Sequence, residues 1–562
     1  MSSGPLPALS LDFIAATTTI DPRITFSRGS QATLTDATGK LTYAPNNLLT
    51  YSEQFDNAAW TKINGGAGSA PVVTANVAVA PDGTTTADRL QTNSGGGAGA
   101  DYSVLRQSAT STVGIRSIWM KSNTGSDQTV YFGTPLNSTP ALVTSTWQRF
   151  SYNATTASAF FDVGSYPSAV GSGVAATADI LIWGAQLEAV TYQTTPSTYV
   201  ATTSAAYYGP RLDYDPVTLA AKGLLIEEAR TNLLTYSSDF TNVIWNNTNV
   251  TVTAAATASP DGRTNASKLA ATATAATAFY QTATVAGTSA TYSVYVKQGT
   301  GPTTFQNFGL RNVTTLTNLL FITFNYSTGA IAYTTGSTGA TAANVGNGWW
   351  RISLTATSGI TSGDTMAGYI GHSGAVATAG DFLYAYGAQL EAGAFATSYI
   401  PTVASTATRS ADVATMTGSN FSSWYRQDQG TFVVGFTLDK GIPSAQGRVI
   451  NVDAGAGAGR VVDMYSTTAW VSYNGTTAFS SGVSAVTSAS AVKAAAAYAS
   501  GSYALAINGV APGTDSSALL NTPTQMNIGR FSGGSNYLNG HIRTLQYYPN
   551  RLSNSQLQAL TA

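Results

Sequence analysis

Short runs of alternating apolar and polar residues recur along the chain, separated by turns rich in glycine, asparagine and serine. In Ser293-Val294-Tyr295-Val296-Lys297 the valines share one face and Ser293, Tyr295 and Lys297 the other, which is the two-residue period of a strand. Ser117-Ile118-Trp119-Met120-Lys121 repeats the pattern. Arg23-Ile24-Thr25-Phe26-Ser27 reads as another short strand, with a turn to follow at Asp36-Ala37-Thr38-Gly39. Gly430 to Phe436 reads as a buried strand, Ala504 to Ile507 as a strand entering an Asn508-Gly509 hairpin turn, and Leu538 to Tyr548 as one more. Ser553 and Gln556 have the spacing of a capping box and predict one short terminal helix. The expectation is an all-β chain of sandwiches or jelly rolls.

The pattern is duplicated. Asn47-Leu48-Leu49-Thr50-Tyr51-Ser52 returns as Asn232-Leu233-Leu234-Thr235-Tyr236-Ser237, and Phe55 and Trp60 return as Phe240 and Trp245. Pro81-Asp82-Gly83 matches Pro260-Asp261-Gly262, Trp147-Gln148-Arg149 matches Trp349-Trp350-Arg351, and Trp183-Gly184-Ala185-Gln186-Leu187-Glu188 matches Tyr386-Gly387-Ala388-Gln389-Leu390-Glu391. A repeat this long is a whole module rather than a solenoid unit. The chain divides into an N-terminal strand region (1–46), a first module (47–202), a bridge (203–231), a second module (232–402) and a distinct C-terminal region (403–562). Trp60/Trp245, Trp147/Trp349 and Trp183/Tyr386 recur with their surroundings and are expected in the module cores.

Composition removes several functions. Charged residues are 9% of 562 and the net charge is −1, against roughly 25% charged in ordinary soluble proteins. Nothing here favours nucleic acid or an anionic membrane. Abundant Thr, Ser and Gly suit strands and turns, while 9 Trp, 29 Tyr and 20 Phe supply the bulk that disordered chains lack. There is no Cys, so neither disulfides nor thiolate metal sites arise. The first residues lack a basic stretch followed by a long apolar one, so a secretory signal is not expected. His372 and His541 are the two histidines, leaving almost no material for a Ser-His-Asp arrangement or a multi-His metal site. His541 is read as structural and His372 as an ordinary loop residue. Asp453 and Asp463 flank a Gly/Ala loop where calcium could sit, without the Asp-x-Asp-x-Asp ligand pattern. No metal, no cofactor and no enzyme activity are expected.

Three strings resemble the N-terminal region of a group of tailed-bacteriophage virion proteins: Ile24-Thr25-Phe26-Ser27-Arg28-Gly29-Ser30, Pro210-Arg211-Leu212-Asp213-Tyr214-Asp215-Pro216, and Gly223-Leu224-Leu225-Ile226-Glu227-Glu228-Ala229-Arg230-Thr231-Asn232-Leu233-Leu234. In that group the first two lie close together. Here the first module separates them, which resembles an insertion and implies that Ile24 and Leu212 lie together in space. The modules resemble carbohydrate-binding jelly rolls. The C-terminal region resembles a concanavalin A-like (laminin G-like) sandwich. Together these resemblances imply a tail- or head-fibre-type virion protein, assembled in the host cytoplasm. Its expected partners are host-surface glycans and other virion proteins, as a homotrimer, with no membrane insertion. The alternatives are a ligand-free structural connector of the virion, and a glycan depolymerase.

Sugar recognition needs flat aromatic faces with amides or charges at their rims. Trp119 with Lys121 and Tyr295 with Lys297 stand opposite the aliphatic face of their strands, and Gln107 and Gln281 precede those strands at similar distances. They are expected to face outward and form the candidate glycan contacts. Trp350, Trp470, Tyr473 and Tyr537 have no repeat partners and join them as looser candidates. The alternative is that the aromatics pack beneath a loop. A depolymerase would need two carboxylates, and the recurring acids Asp82/Asp261 and Glu188/Glu391 read better as turn and structural residues.

Overall fold

The computed structural model describes all residues except 1–5, 17–18, 136–137, 170–172, 191–192, 301–303, 372–377, 439–446, 456–459, 466–468, 475–477, 481–490 and 517–521. The side chains of 304–307 and 460–480 also lie outside the description. The architecture is all-β, with two short helices among the described residues, Ser419–Ser422 and Asn554–Thr561. The second carries the expected capping box between Ser553 and Gln556. Asn508 and Gly509 both take positive φ, and the Val510 N–H returns to the Ile507 carbonyl. None of the described helices is long and apolar enough to cross a membrane.

The chain forms two compact units, one of residues 43–209 and the other of 1–42 together with 210–562. In the 43–209 unit one sheet bends round its own core. The strands Tyr102–Ser122 and Gln148–Ser165 are long enough to serve both layers, with irregularities near Ala154 and Ser158 that let them turn. Ile118, Met120, Ile180 and Ile182 point inward with Trp60, Phe132 and Phe161.

In the other unit, residues 246–392 build two six-stranded sheets. The apolar set of each strand, Val294 and Val296 among them, packs with Trp245, Phe279 and Phe308 between the sheets. A second sandwich has a core of its own, to which both Ile24 and Leu212 belong although 188 positions separate them. Its eight-stranded sheet takes Leu9–Asp12, Leu212–Tyr214 and Ala221–Ile226 beside Gly540–Tyr548, Gln429–Thr437, Ala491–Ala499, Ser502–Ile507 and Gly513–Asp515. Its seven-stranded sheet takes Thr25–Ser27 beside Val413–Thr417. Strands from the N-terminal region and the bridge are therefore members of the C-terminal sandwich.

The strings that carry the phage resemblance meet in a buried ion network. Arg28, Arg211, Arg409, Glu227 and Asp412 all have fully buried side chains. Arg211 bridges Glu227 and Asp412, Arg28 donates to Asp412 at 2.9 Å, and Glu227 also receives the Ser398 backbone N–H at 2.9 Å. Burial pulls Arg28 down to about 10, which leaves it cationic at neutral pH. A chain with so little charge spends five charged residues here, tying the N-terminal strand, the bridge and the 398–412 segment to one point. His541 is buried and bonds Asp213 at 2.8 Å, and Asp213 in turn accepts the Thr35 N–H. That is the structural role expected of His541. His372 lies outside the described residues.

Candidate functional site: one aromatic face, present twice

Most polar residues shared by the two modules are framework. Gln107 accepts the Thr50 N–H at 2.7 Å and donates to its carbonyl at 2.8 Å. Gln281 does the same for Thr235 at 2.8 and 2.9 Å. Both glutamines are 3% exposed. The expectation that they present amides to a ligand is overturned, because both ends of each amide are already engaged. Glu188 holds Ser197 and Glu391 holds Thr397, while Gln186 and Gln389 receive the Val200 and Ile400 N–H groups. These bonds draw the segments carrying Tyr199 and Tyr399 across the outer face of each module.

That outer face is aromatic in both copies. In the second module Tyr295, Trp349, Tyr386 and Tyr399 cluster with Ala266 and Leu41. Gly387 at φ +58 makes the close approach possible, since a Cβ there would meet the Tyr295 and Tyr399 rings at 3.1 Å. The Tyr399 hydroxyl bonds Ser237, the Trp349 indole donates to the Ala258 carbonyl, and the Tyr386 hydroxyl donates to Asp261. The cover is the hairpin of Thr33–Thr35 and Leu41–Tyr43, whose turn is closed by the Asp36 carboxylate accepting the N–H groups of Thr38 and Lys40. The Leu41 N–H donates to the Pro260 carbonyl at 3.0 Å, and its side chain enters the cluster. Tyr295 is left 5% exposed. The expectation of an outward, accessible Tyr295 therefore fails: it faces away from the aliphatic core and is buried in a second one. Lys297 is half-buried beside it.

In the 43–209 unit the same positions hold Trp119, Trp147, Trp183 and Tyr199, with Ala87 where the other copy has Ala266. Trp119 meets Trp183 edge-on at 5.3 Å and Tyr199 at 5.4 Å, and the Arg149 guanidinium lies 4.4 Å from its ring centre. Gly184 repeats the positive-φ glycine, beneath Trp119. Trp183 is buried, but Trp119, Trp147, Tyr199 and Lys121 are half-exposed. Trp147, expected in the core, instead stands at this rim with its indole N–H on the Val79 carbonyl. Among the described residues of the unit, none takes the place of Leu41 in this cluster.

Polar groups border the open face. The Tyr199 hydroxyl bonds Ser52 and donates to Glu53 at 3.1 Å. Burial raises the Glu53 carboxyl above its usual range, against the Tyr199 bond, and nearby Asp82 pushes it further up. Glu53 has no acidic counterpart in the second module, where Ser238 stands in its place. Asp82 is exposed and bonds only within its own turn, to Thr84, whereas Asp261 is buried and holds Tyr386, Arg263 and Asn265. Sequence reasoning missed Glu53 and Tyr199. The departure of Glu53 from the repeat was the available signal.

The other candidates divide. Trp350 is half-buried as a lid on the second module's core, edge-on to Phe324 at 5.3 Å and over Gly329. Tyr537 is 8% exposed within the C-terminal core, so its proposed contact role is overturned as well. The side chains of Trp470, Tyr473 and Asp463 lie outside the description. The Asp453 carboxylate is taken by the Gly455 N–H, Asn451 and Gln525. Among the described residues no group of three His, Asp or Glu could hold a metal ion.

No protein-family description and no curated protein matches the chain. Similar solved structures include the CBM40 module of Ruminococcus gnavus IT-sialidase bound to alpha2,6 sialyllactose, at TM-score 0.22 and 16% identity over 25% of this chain and 88% of that one. The tandem CBM22-1–CBM22-2 domain of Paenibacillus barcinonensis Xyn10C matches at TM-score 0.19 and 16% identity, over 62% of this chain and 98% of that one. A Trypanosoma rangeli sialidase complex matches at TM-score 0.22 and 13% identity, over 26% of this chain. The chain spans about a quarter of that sialidase's length, 25%. At such scores these likenesses assign neither ligand nor activity.

Proposed function

We propose that the chain is a virion surface protein of the tail- or head-fibre type that holds host-surface glycans without cleaving them. The observation that carries the binding part is the open aromatic face of the 43–209 unit. It offers Trp119, Trp147 and Tyr199 as flat surfaces and Lys121, Glu53 and Asp82 as rim groups, while its copy in the second module is already filled by Leu41. An indole left half-exposed beside hydrogen-bonding groups suits the apolar face of a pyranose. The virion part is supported by the phage-like strings, which contribute Arg28, Arg211 and Glu227 to the buried ion network. The test is a glycan array probed with the intact chain and with Trp119→Ala and Trp147→Ala. Loss of signal in both variants at unchanged melting temperature is expected. Full retention in both would end the assignment to this face.

A second reading has one observation in its favour. Glu53 is raised by burial and faces the influence of Asp82, and two carboxylates of unequal acidity suit glycoside hydrolysis. Release of reducing ends from a bound polysaccharide, abolished by Glu53→Gln, would turn the protein from a binder into a depolymerase.

A further inference from the structure

The second module shows what its aromatic face accepts, because the hairpin occupies it as an internal ligand. Two contacts of Leu41 define the fit. Its N–H donates to the Pro260 carbonyl at 3.0 Å, and its side chain lies among Tyr295, Trp349, Tyr386 and Tyr399. The face thus takes a donor N–H and, two bonds away, an apolar carbon. In the 43–209 unit the matching carbonyl belongs to Pro81, in the same Pro-Asp-Gly turn. Pro81 is exposed, and among the described residues no hydrogen bond reaches its carbonyl. Indoles of Trp119 and Trp183 stand where the second module has the phenols of Tyr295 and Tyr386, and their greater bulk favours a small apolar group in this socket. A methyl suits it better than the isobutyl group of leucine.

We infer that the open face selects a sugar bearing an N-acetyl group, the acetamido N–H donating to the Pro81 carbonyl and the methyl seated among Trp119, Trp147, Trp183 and Tyr199. An acetamido group places its methyl two bonds from the nitrogen, as leucine places Cβ from its backbone nitrogen. A free amine would gain from Asp82 but face Lys121 and Arg149 across the same surface, and it has no methyl to fill the socket. A plain hydroxyl satisfies the carbonyl and leaves the socket empty. The inference rests on the glycan-binding reading and narrows it to a ligand class.

The test uses the intact chain and three matched sets of methyl glycosides: N-acetylglucosamine, N-acetylgalactosamine and N-acetylmannosamine, each beside its free amine and its 2-hydroxyl parent. Affinities come from titration, and saturation-transfer NMR reports which ligand protons touch the protein. In at least one set the acetylated sugar should bind ten-fold or more tighter than both relatives, with the acetyl methyl the most strongly saturated group. Trp119→Ala should remove that preference. Because the comparison among sugars runs on the unmodified chain, it stands even if that variant folds poorly. Equal binding within every set would overturn the N-acetyl inference while leaving glycan binding intact. Binding of a cyclised peptide of residues 33–42 at this face, with no sugar bound, would overturn both and make the face a protein-docking surface. Failure of every probe would also overturn the inference.

Discussion

Removing the Asp412 carboxylate should be among the most damaging single changes in the chain. One carboxylate oxygen takes Arg28 at 2.9 Å, and the other takes Arg211 and the Glu227 N–H, with Arg409 within 4.0 Å. Asp412→Ala would remove from three buried guanidiniums the carboxylate they share. Breaking a buried pair from one side costs about 3–5 kcal/mol, because the remaining charge stays buried without its partner. Because the unfolding entropy grows with size, a cooperative unit of nearly 400 residues shifts by roughly 1 °C per kcal/mol, and the melting midpoint should fall by about 4–6 °C. Scanning calorimetry should show the loss in the transition of the 1–42/210–562 unit and leave that of the 43–209 unit in place. Asp412→Asn keeps the shape and removes the charge, so it should cost most of the same amount. The pH dependence follows from the same contacts. Burial alone would raise this carboxyl, but Arg211, Arg28 and Arg409 hold it below its ordinary value of 3.8. Its contribution is therefore complete above that value and lost as pH falls further, and the Asn variant should lack that part of the acid limb. If both variants lie within about 0.5 kcal/mol of the parent, the network is not held by charge and the reasoning fails.

Three further outcomes can be checked. Tyr295→Ala should cost about 3–5 kcal/mol as a buried aromatic truncation, whereas Trp119→Ala, starting half-exposed, should cost clearly less; equal losses in denaturant titrations would contradict the open-versus-covered contrast. Gly387→Ala should destabilise by more than about 1 kcal/mol, since it meets both a positive φ and two tyrosine rings, and a neutral urea midpoint would show that this close approach relaxes freely. Self-association is expected from the gain in avidity that a multi-copy fibre obtains, with a homotrimer as the expected species, and light scattering that finds a monomer at micromolar concentration would count against it.

The duplication, the all-β class and the inward-facing aliphatic sets were legible in the sequence because each follows from a local two-residue period or an exact string. The cover over Tyr295 was not. It comes from Leu41, some 250 positions earlier, and alternation reports only that a residue points away from one core. Gln107 and Gln281 misled for a related reason. An amide on a strand reads as a ligand contact or as a clasp on a neighbouring backbone, and the choice depends on where Thr50 and Thr235 arrive. Trp147 and Trp349 share a motif and differ in exposure because one copy has a hairpin over it. A repeat conserves the residues of a frame, and the differences between copies, such as Glu53 against Ser238, mark where the copies diverge in use.

Leu9 pairs with Tyr547 across one sheet, and that pairing sets a clock on synthesis. At about 5–20 residues per second, the first strand emerges roughly half a minute to two minutes before its partner exists. Both duplicated modules can close in that interval, since their strands are consecutive. The C-terminal sandwich must wait for the strand that Leu9–Asp12 pairs with. A ribosome that stops short of residue 548 releases a chain whose modules look finished but whose last sandwich cannot shut. Closure of that sandwich therefore joins the two most widely separated strands of the sheet and can only be a late event in folding.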